Sequence, residues 1–113
     1  VSDYLIGVDG DYRFSFDTVA ADALAAWDDA DWFESTSTLQ RQAADGQLLL
    51  DVGFLGDGEG FGLRGTRESV AEFAAWLTTR AGFPEDGSVI LAGWAEDVLT
   101  LSPDTAVADL LAQ

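Results

Sequence analysis

The chain contains no cysteine, no histidine and no lysine, and each absence closes off a kind of chemistry. Without cysteine there is no disulfide, no thiolate nucleophile and no Cys-ligated zinc. Without histidine the commonest general base and the commonest metal ligand are both missing. Most hydrolase mechanisms are excluded together, and the expectation is a protein that is not an enzyme and carries no cofactor or metal. Positive charge is scarce as well: five Arg stand against fifteen Asp and six Glu, for a formal net charge of −16 over 113 residues. A field of that sign repels nucleic acid and anionic membranes and draws basic surfaces from several ångströms away. No apolar run approaches the roughly 20 residues that span a bilayer. The opening Val1-Ser2-Asp3 lacks the basic flank of a signal peptide, so the expected location is the cytoplasm.

What is present argues for a folded domain. At this length one core is the expectation, so residues 1–113 read as a single domain. The 48% hydrophobic content and four Trp are too rich for a disordered acidic chain. Spread over roughly 6,000 Å² of folded surface, the net charges would lie about 20 Å apart, beyond the ~8 Å Debye length of physiological salt. Repulsion on that scale is tolerable, and only clustering of the acids would carry function.

Periodicity sets out the elements. Tyr4 to Val8 alternates, Asp9-Gly10 signals a turn, and Tyr12, Phe14 and Phe16 recur at period two, which predicts a hairpin. Asp17 is placed as a helix cap, with Ala20, Ala23, Leu24 and Trp27 following at helical spacing to about Ala30. Glu34 to Gln42 reads as a polar strand, turned at Asp45-Gly46 into Gln47 to Leu55, where Leu48, Leu50, Val52 and Phe54 share a buried face. Phe61 and Leu63 continue as a short strand. Thr66 caps the strongest helix, whose Val70, Phe73, Ala74 and Leu77 form one stripe stopped by Gly82 and Pro84. Ser88 to Trp94 and Val98 to Leu101 are two further strands around a tight Ala95-Glu96-Asp97 connection. Ser102-Pro103-Asp104 then starts a last helix with Ala106, Val107, Leu110 and Leu111 on its apolar side. The order β-β-α-β-β-β-α-β-β-α with short connections predicts an α+β fold: a largely antiparallel sheet of five to seven strands with two or three helices packed mainly on one face.

Three motifs invite a ligand and fail on context. Gly60-Phe61-Gly62-Leu63-Arg64-Gly65 matches a dinucleotide fingerprint. However, Asp57 and Glu59 precede it and would repel a pyrophosphate, and its upstream strand arrives through a hairpin rather than a βαβ unit. The clusters Asp9-Gly10-Asp11, Asp28-Asp29-Ala30-Asp31 and Asp57-Gly58-Glu59 offer oxygen ligands, but none has EF-hand spacing, and Asp-Gly is ordinary turn chemistry. A glycosidase-like carboxylate pair cannot be singled out among 21 acids in a chain too small to wall a cleft.

The stretch Trp27-Asp28-Asp29-Ala30-Asp31-Trp32-Phe33-Glu34 differs in kind, with four acids and three aromatics where a helix gives way to a strand. Trp27 belongs to the helix stripe and is assigned to the core. A large aromatic ringed by carboxylates suits a basic protein partner, the ring supplying contact area and the acids supplying steering. Asp28, Asp29, Asp31, Trp32 and Glu34 are therefore the candidate partner-binding residues, joined by Asp57 and Glu59 of the Gly-rich turn. The bland alternative is that Trp32 closes the core and the acids are simply solvated. Trp76 lies off its helix stripe toward Arg80 and is either a boundary residue or a second exposed anchor.

The strand-then-helix passage Gly60-Phe61-Gly62-Leu63-Arg64-Gly65-Thr66 into Val70-Ala71-Glu72-Phe73-Ala74-Ala75-Trp76-Leu77 resembles that of small acidic immunity proteins of bacterial toxin systems from high-GC genomes. The resemblance spans some thirty residues and transfers no site residue. It implies a stoichiometric inhibitor that masks a basic active-site cleft such as a nuclease's. Two readings stand beside it: a halophilic protein whose acidity is proteome-wide, and a small regulatory or structural protein that forms a homodimer by a sheet edge, with Glu34 to Gln42 as the candidate edge.

Overall fold

The computed structural model describes residues 3–80, 82–94 and 98–113. The strands are β1 (Asp3–Val8), β2 (Ala30–Phe33), β3 (Thr38–Gln42), β4 (Leu48–Leu55), β5 (Gly60–Gly65), β6 (Val89–Ala92) and β7 (Leu99–Thr100). The helices are α1 (Phe16–Ala26), α2 (Arg67–Thr78) and α3 (Val107–Leu111), with a single 3₁₀ turn at Glu34–Thr36. The strands form one seven-stranded sheet in the order β2-β3-β4-β5-β1-β6-β7, antiparallel throughout. The fold is thus α+β as the periodicity predicts. The connection Ala95-Glu96-Asp97 lies outside the described residues.

Alternation decides which side of the sheet is buried. Ile6, Leu39, Leu50, Val52, Phe61, Leu63, Val89 and Leu91 are each 0–1% exposed and point to the helix side. α2 lies there with Val70, Phe73, Ala74 and Leu77 fully buried, the four residues of the predicted stripe. Thr66 caps it as expected, its hydroxyl accepting from the Ser69 N–H at 3.2 Å. The core is strongly aromatic: Phe61 packs edge-on against Phe54 at 4.9 Å and Phe73 at 5.6 Å between ring centroids. Such pairs add about 0.5–1.5 kcal/mol each beyond the area they bury.

On the opposite side the strand registers align three rows. Phe33, Thr38, Gly53, Gly62, Leu5 and Ala92 make one row, and Leu55, Gly60, Gly7, Ile90 and Thr100 the next. The third row, Asp31, Gln40, Asp51, Arg64 and Asp3, is polar. No described helix covers this side.

Several sequence expectations are corrected. Residues 12–15 do not pair as a hairpin with β1, because both edges of β1 are already taken, by β5 and by β6. The period-two aromatics serve the core instead: Phe14 packs edge-on and Phe16 tilted against Phe61, at 4.9 and 5.3 Å between ring centroids. The segment is tied down by the Phe14 N–H donating to the Gly58 carbonyl at 2.9 Å. Gly58 has φ +90°, and a Cβ there would run into the Phe14 carbonyl, so this crossing requires glycine.

Helix α1 is capped at Ser15 rather than Asp17 and ends at Ala26, so Ala30 already belongs to β2. β3 is interior, between β2 and β4, and the sheet edge falls on β2; the Glu34–Gln42 segment is not an edge strand. Leu48 is 41% exposed because the register shifts between Arg41 and Gln42. Ser102-Pro103-Asp104 makes a turn closed by the Thr105 N–H on the Ser102 carbonyl at 3.0 Å, and α3 begins only at Val107.

Candidate protein-binding site

The predicted site residues separate into two places. β2 runs from Ala30, level with Arg41 of β3, to Phe33, level with Thr38 and Gly53. Asp28 and Asp29 precede the first end, whereas Glu34 follows the second, where the turn 56–59 carrying Asp57 and Glu59 also lies. Asp31 sits between them on the side away from the helices, level with Gln40.

At the first end Asp29 is committed internally. Arg41 is 8% exposed and donates from Nε and Nη2 to the two Asp29 carboxylate oxygens at 2.8 and 3.3 Å. The same guanidinium lies 4.9 Å from the Trp27 ring centroid and places Nη1 3.5 Å from Glu72 of α2. Trp27, half-buried at the C-cap of α1, also packs on Trp76 at 4.8 Å. Trp76 is a boundary residue, covered in turn by Arg80 at 4.5 Å. This end is a part-buried ion-pair and aromatic clasp joining α1, α2 and β3, and among the described residues Asp28 is its one exposed acid with no ion pair.

The second end is open. Trp32 is half-buried, packs edge-on to Phe54 at 4.9 Å, and its indole N–H donates to Glu34 Oε2 at 2.7 Å. That bond fixes the direction of an exposed carboxylate. Between α1 and β2 lies a groove of about 400 Å³, floored by Phe16, Ala20, Leu24, Trp32 and Phe54, with Asp17 and Glu34 at its rim. The turn from β1 adds to this end: the Val8 N–H bonds the Glu59 carbonyl and the Asp9 N–H bonds the Ser88 carbonyl at 2.6 Å. Asp9, Asp11, Asp17, Glu34, Asp57 and Glu59, all exposed, thus share one end of the molecule. Asp86 lies in the same turn region, and Ser88, whose backbone N–H donates to Asp86 Oδ1 at 3.0 Å, holds this carboxyl below the usual range. Among the described residues no three carboxylates approach closely enough to hold a metal ion, and no helix is long and apolar enough to cross a membrane.

Of the sequence-predicted residues, the structure brings Trp32 and Glu34 into the groove and Asp57 and Glu59 to the same end. Asp28, Asp29 and Asp31 do not reach it. The groove residues that sequence reasoning missed are Phe16, Asp17 and Leu24; Leu24 was placed on the core stripe but is 41% exposed. Apolar floor and acidic rim together suit a long basic side chain, whose stem would lie on the rings while its head meets Asp17 and Glu34. No protein-family model, curated protein or solved structure matches this chain.

Proposed function

We propose that this chain is a non-catalytic, acidic protein-binding domain of the immunity type, which neutralises a cognate toxin by covering a basic surface such as a nuclease cleft. One observation carries the reading: an apolar groove whose rim carboxylates stand at the end of the molecule where six exposed acids gather. Apolar area gives a contact its strength, and aligned charge gives it speed and selectivity. Glu34 is pre-oriented by Trp32 and loses little freedom on meeting a guanidinium.

The test is to read the adjacent open reading frame for a large protein with a basic C-terminal domain, and to measure association of this chain with that domain by stopped-flow and calorimetry; a neighbour without such a domain counts against the reading. A 1:1 complex is expected, whose on-rate falls steeply as salt rises. Asp17→Asn and Glu34→Gln should each weaken it by about tenfold, roughly 1.4 kcal/mol. Asp29→Asn should leave the on-rate nearly unchanged, since Asp29 is engaged by Arg41. Binding that is indifferent to salt and to both rim substitutions would remove the reading.

A further inference from the structure

The side of the sheet away from the helices contradicts the rest of the surface. In a chain that is 23% charged, the two adjacent rows running from Phe33 to Ala92 and from Leu55 to Thr100 contain no charged residue. Phe33, Leu5 and Leu55 are 44, 43 and 42% exposed. Exposed apolar side chains gathered on one sheet face mark a surface that is covered in use.

Glycines at the centre of this face point the same way. Gly7, Gly53 and Gly62 have ordinary strand backbone, so no turn requires them. A Cβ on Gly7 would meet nothing within 4 Å, and one on Gly53 or Gly62 would meet only ordinary contacts at 3.9 and 4.0 Å. The fold therefore has room for a side chain at each, and β-branched residues would favour the strand. Glycine within a strand that its own chain does not explain marks a place where another backbone or side chain comes close.

We infer that this face is the contact surface of a homodimer, its occupant a second copy of this chain. Two features select that occupant over a basic partner, and the size of the face bears on whether the contact is stable. First, charge is confined to the third row, where Asp3 and Arg64 already pair at 3.1 Å, Asp51 accepts from Gln40 at 3.3 Å, and Asp31 stands exposed on the outermost strand. A basic partner finds little to attract it there, whereas two copies of a −16 chain meet with least repulsion on this side. Second, the face holds both a hollow at Gly53 and Gly62, walled on one side by Asp51 and Arg64, and projecting apolar side chains at Leu5 and Leu55. A two-fold contact needs that self-complementarity, because each patch must fit its own copy. As to size, the molecule measures 38 × 30 × 20 Å. At the roughly 4.8 Å spacing of neighbouring strands, the two uncharged rows cover about 400 Å², so a two-fold contact also takes in the third row to approach the roughly 800 Å² per partner of a standard interface.

Sedimentation equilibrium over a range of protein concentrations, at about 0.05 M and about 1 M NaCl, tests this. The expected result is a dimer that tightens with salt, opposite in sign to the salt dependence of a basic partner in the groove. Gly62→Val and Gly53→Val should weaken the dimer by at least about tenfold while the melting temperature of the dilute monomer stays level or rises. A monomer at both salts, a dimer that loosens with salt, or a Gly62→Val dimer as tight as the parent would overturn the inference. So would a valine variant whose monomer melts lower, because the fold itself would then need the glycine. If Gly62→Val abolished binding of a basic protein while the parent chain was monomeric, the face would belong to that partner instead.

Discussion

Helices α1 and α2 are nearly equal in length and lie on the same side of the same sheet, yet they are held very differently. α2 buries eight of its twelve residues and is capped by Thr66. α1 buries three of eleven, and Ser15 at its N-cap makes no side-chain bond to its backbone, its hydroxyl donating to Thr18 Oγ1 instead. The difference teaches where function has room: the groove runs along α1, whose outward Leu24 and rim Asp17 are not needed by the core, while α2 is the keel of the fold. Stability and binding are thereby assigned to different helices, and the assignment can be broken by measurement.

The largest effect is expected at Phe73, fully buried on α2. Phe73→Ala should cost about 3–5 kcal/mol in urea unfolding, whereas Leu24→Ala on α1 should stay within about 0.5 kcal/mol. Equal losses would erase the contrast. Next is Arg41, which joins the C-terminal end of α1 through Trp27 to α2 through Glu72. Arg41→Ala should cost roughly 1–3 kcal/mol, less than for a fully buried pair because Asp29, whose side chain is 36% exposed, can rehydrate. Its combination with Asp29→Ala should cost less than the sum of the two, read from a double-mutant cycle. A smaller effect separates the two caps. Thr66→Ala should cost about 1 kcal/mol and Ser15→Ala only a few tenths in the same titration.

The smallest effect is one of pH. Burial raises the Tyr12 phenol above its ordinary 10.0, so the folded state keeps the proton where the unfolded chain would lose it. Its stabilising contribution is complete below pH 10.0 and is lost as pH rises through the folded value. Tyr12→Phe should flatten the alkaline limb of a melting-temperature profile and leave the neutral region unchanged. For Asp86 the sign reverses: its lowered carboxyl contributes above the ordinary 3.8 and loses that contribution as pH falls through the folded value. Asp86→Asn should make the acid limb shallower.

How legible these features were depended on distance along the chain. The β3–β4 hairpin and α2 could be read directly, since Asp45-Gly46, the Thr66 cap and the Val70 to Leu77 stripe are local signals acting within a few residues. Tyr12, Phe14 and Phe16 misled because period two only says that alternate side chains share a side. A strand also needs a vacant neighbour, and β5 and β6 had filled both positions beside β1. The site shows the same division. Trp32 and Glu34 are neighbours in sequence and were found together. Asp17 and Phe16 join them only through the packing of α1 against Phe54, at 4.8 Å from Phe16, which no local pattern encodes. Asp29 falls outside the site for a related reason, because its partner Arg41 lies twelve residues away on β3.

The first strand of the chain is the fifth of seven across the sheet, with Asp3 to Gly7 opposite Arg64 to Gly60 on one flank and Leu5 to Val8 opposite Ala92 to Val89 on the other. During synthesis this segment leaves the ribosome before β5 and β6 and must wait for both partners. At about 5–20 residues per second the nearer one follows roughly 3–10 s later. For that interval an apolar stretch with two bare hydrogen-bonding edges is at large in the cell. Asp3, Asp9 and Asp11 stand at its two ends as gatekeepers against pairing with a neighbouring nascent chain. Part of the acidity of this molecule therefore acts before there is a surface for any partner to find.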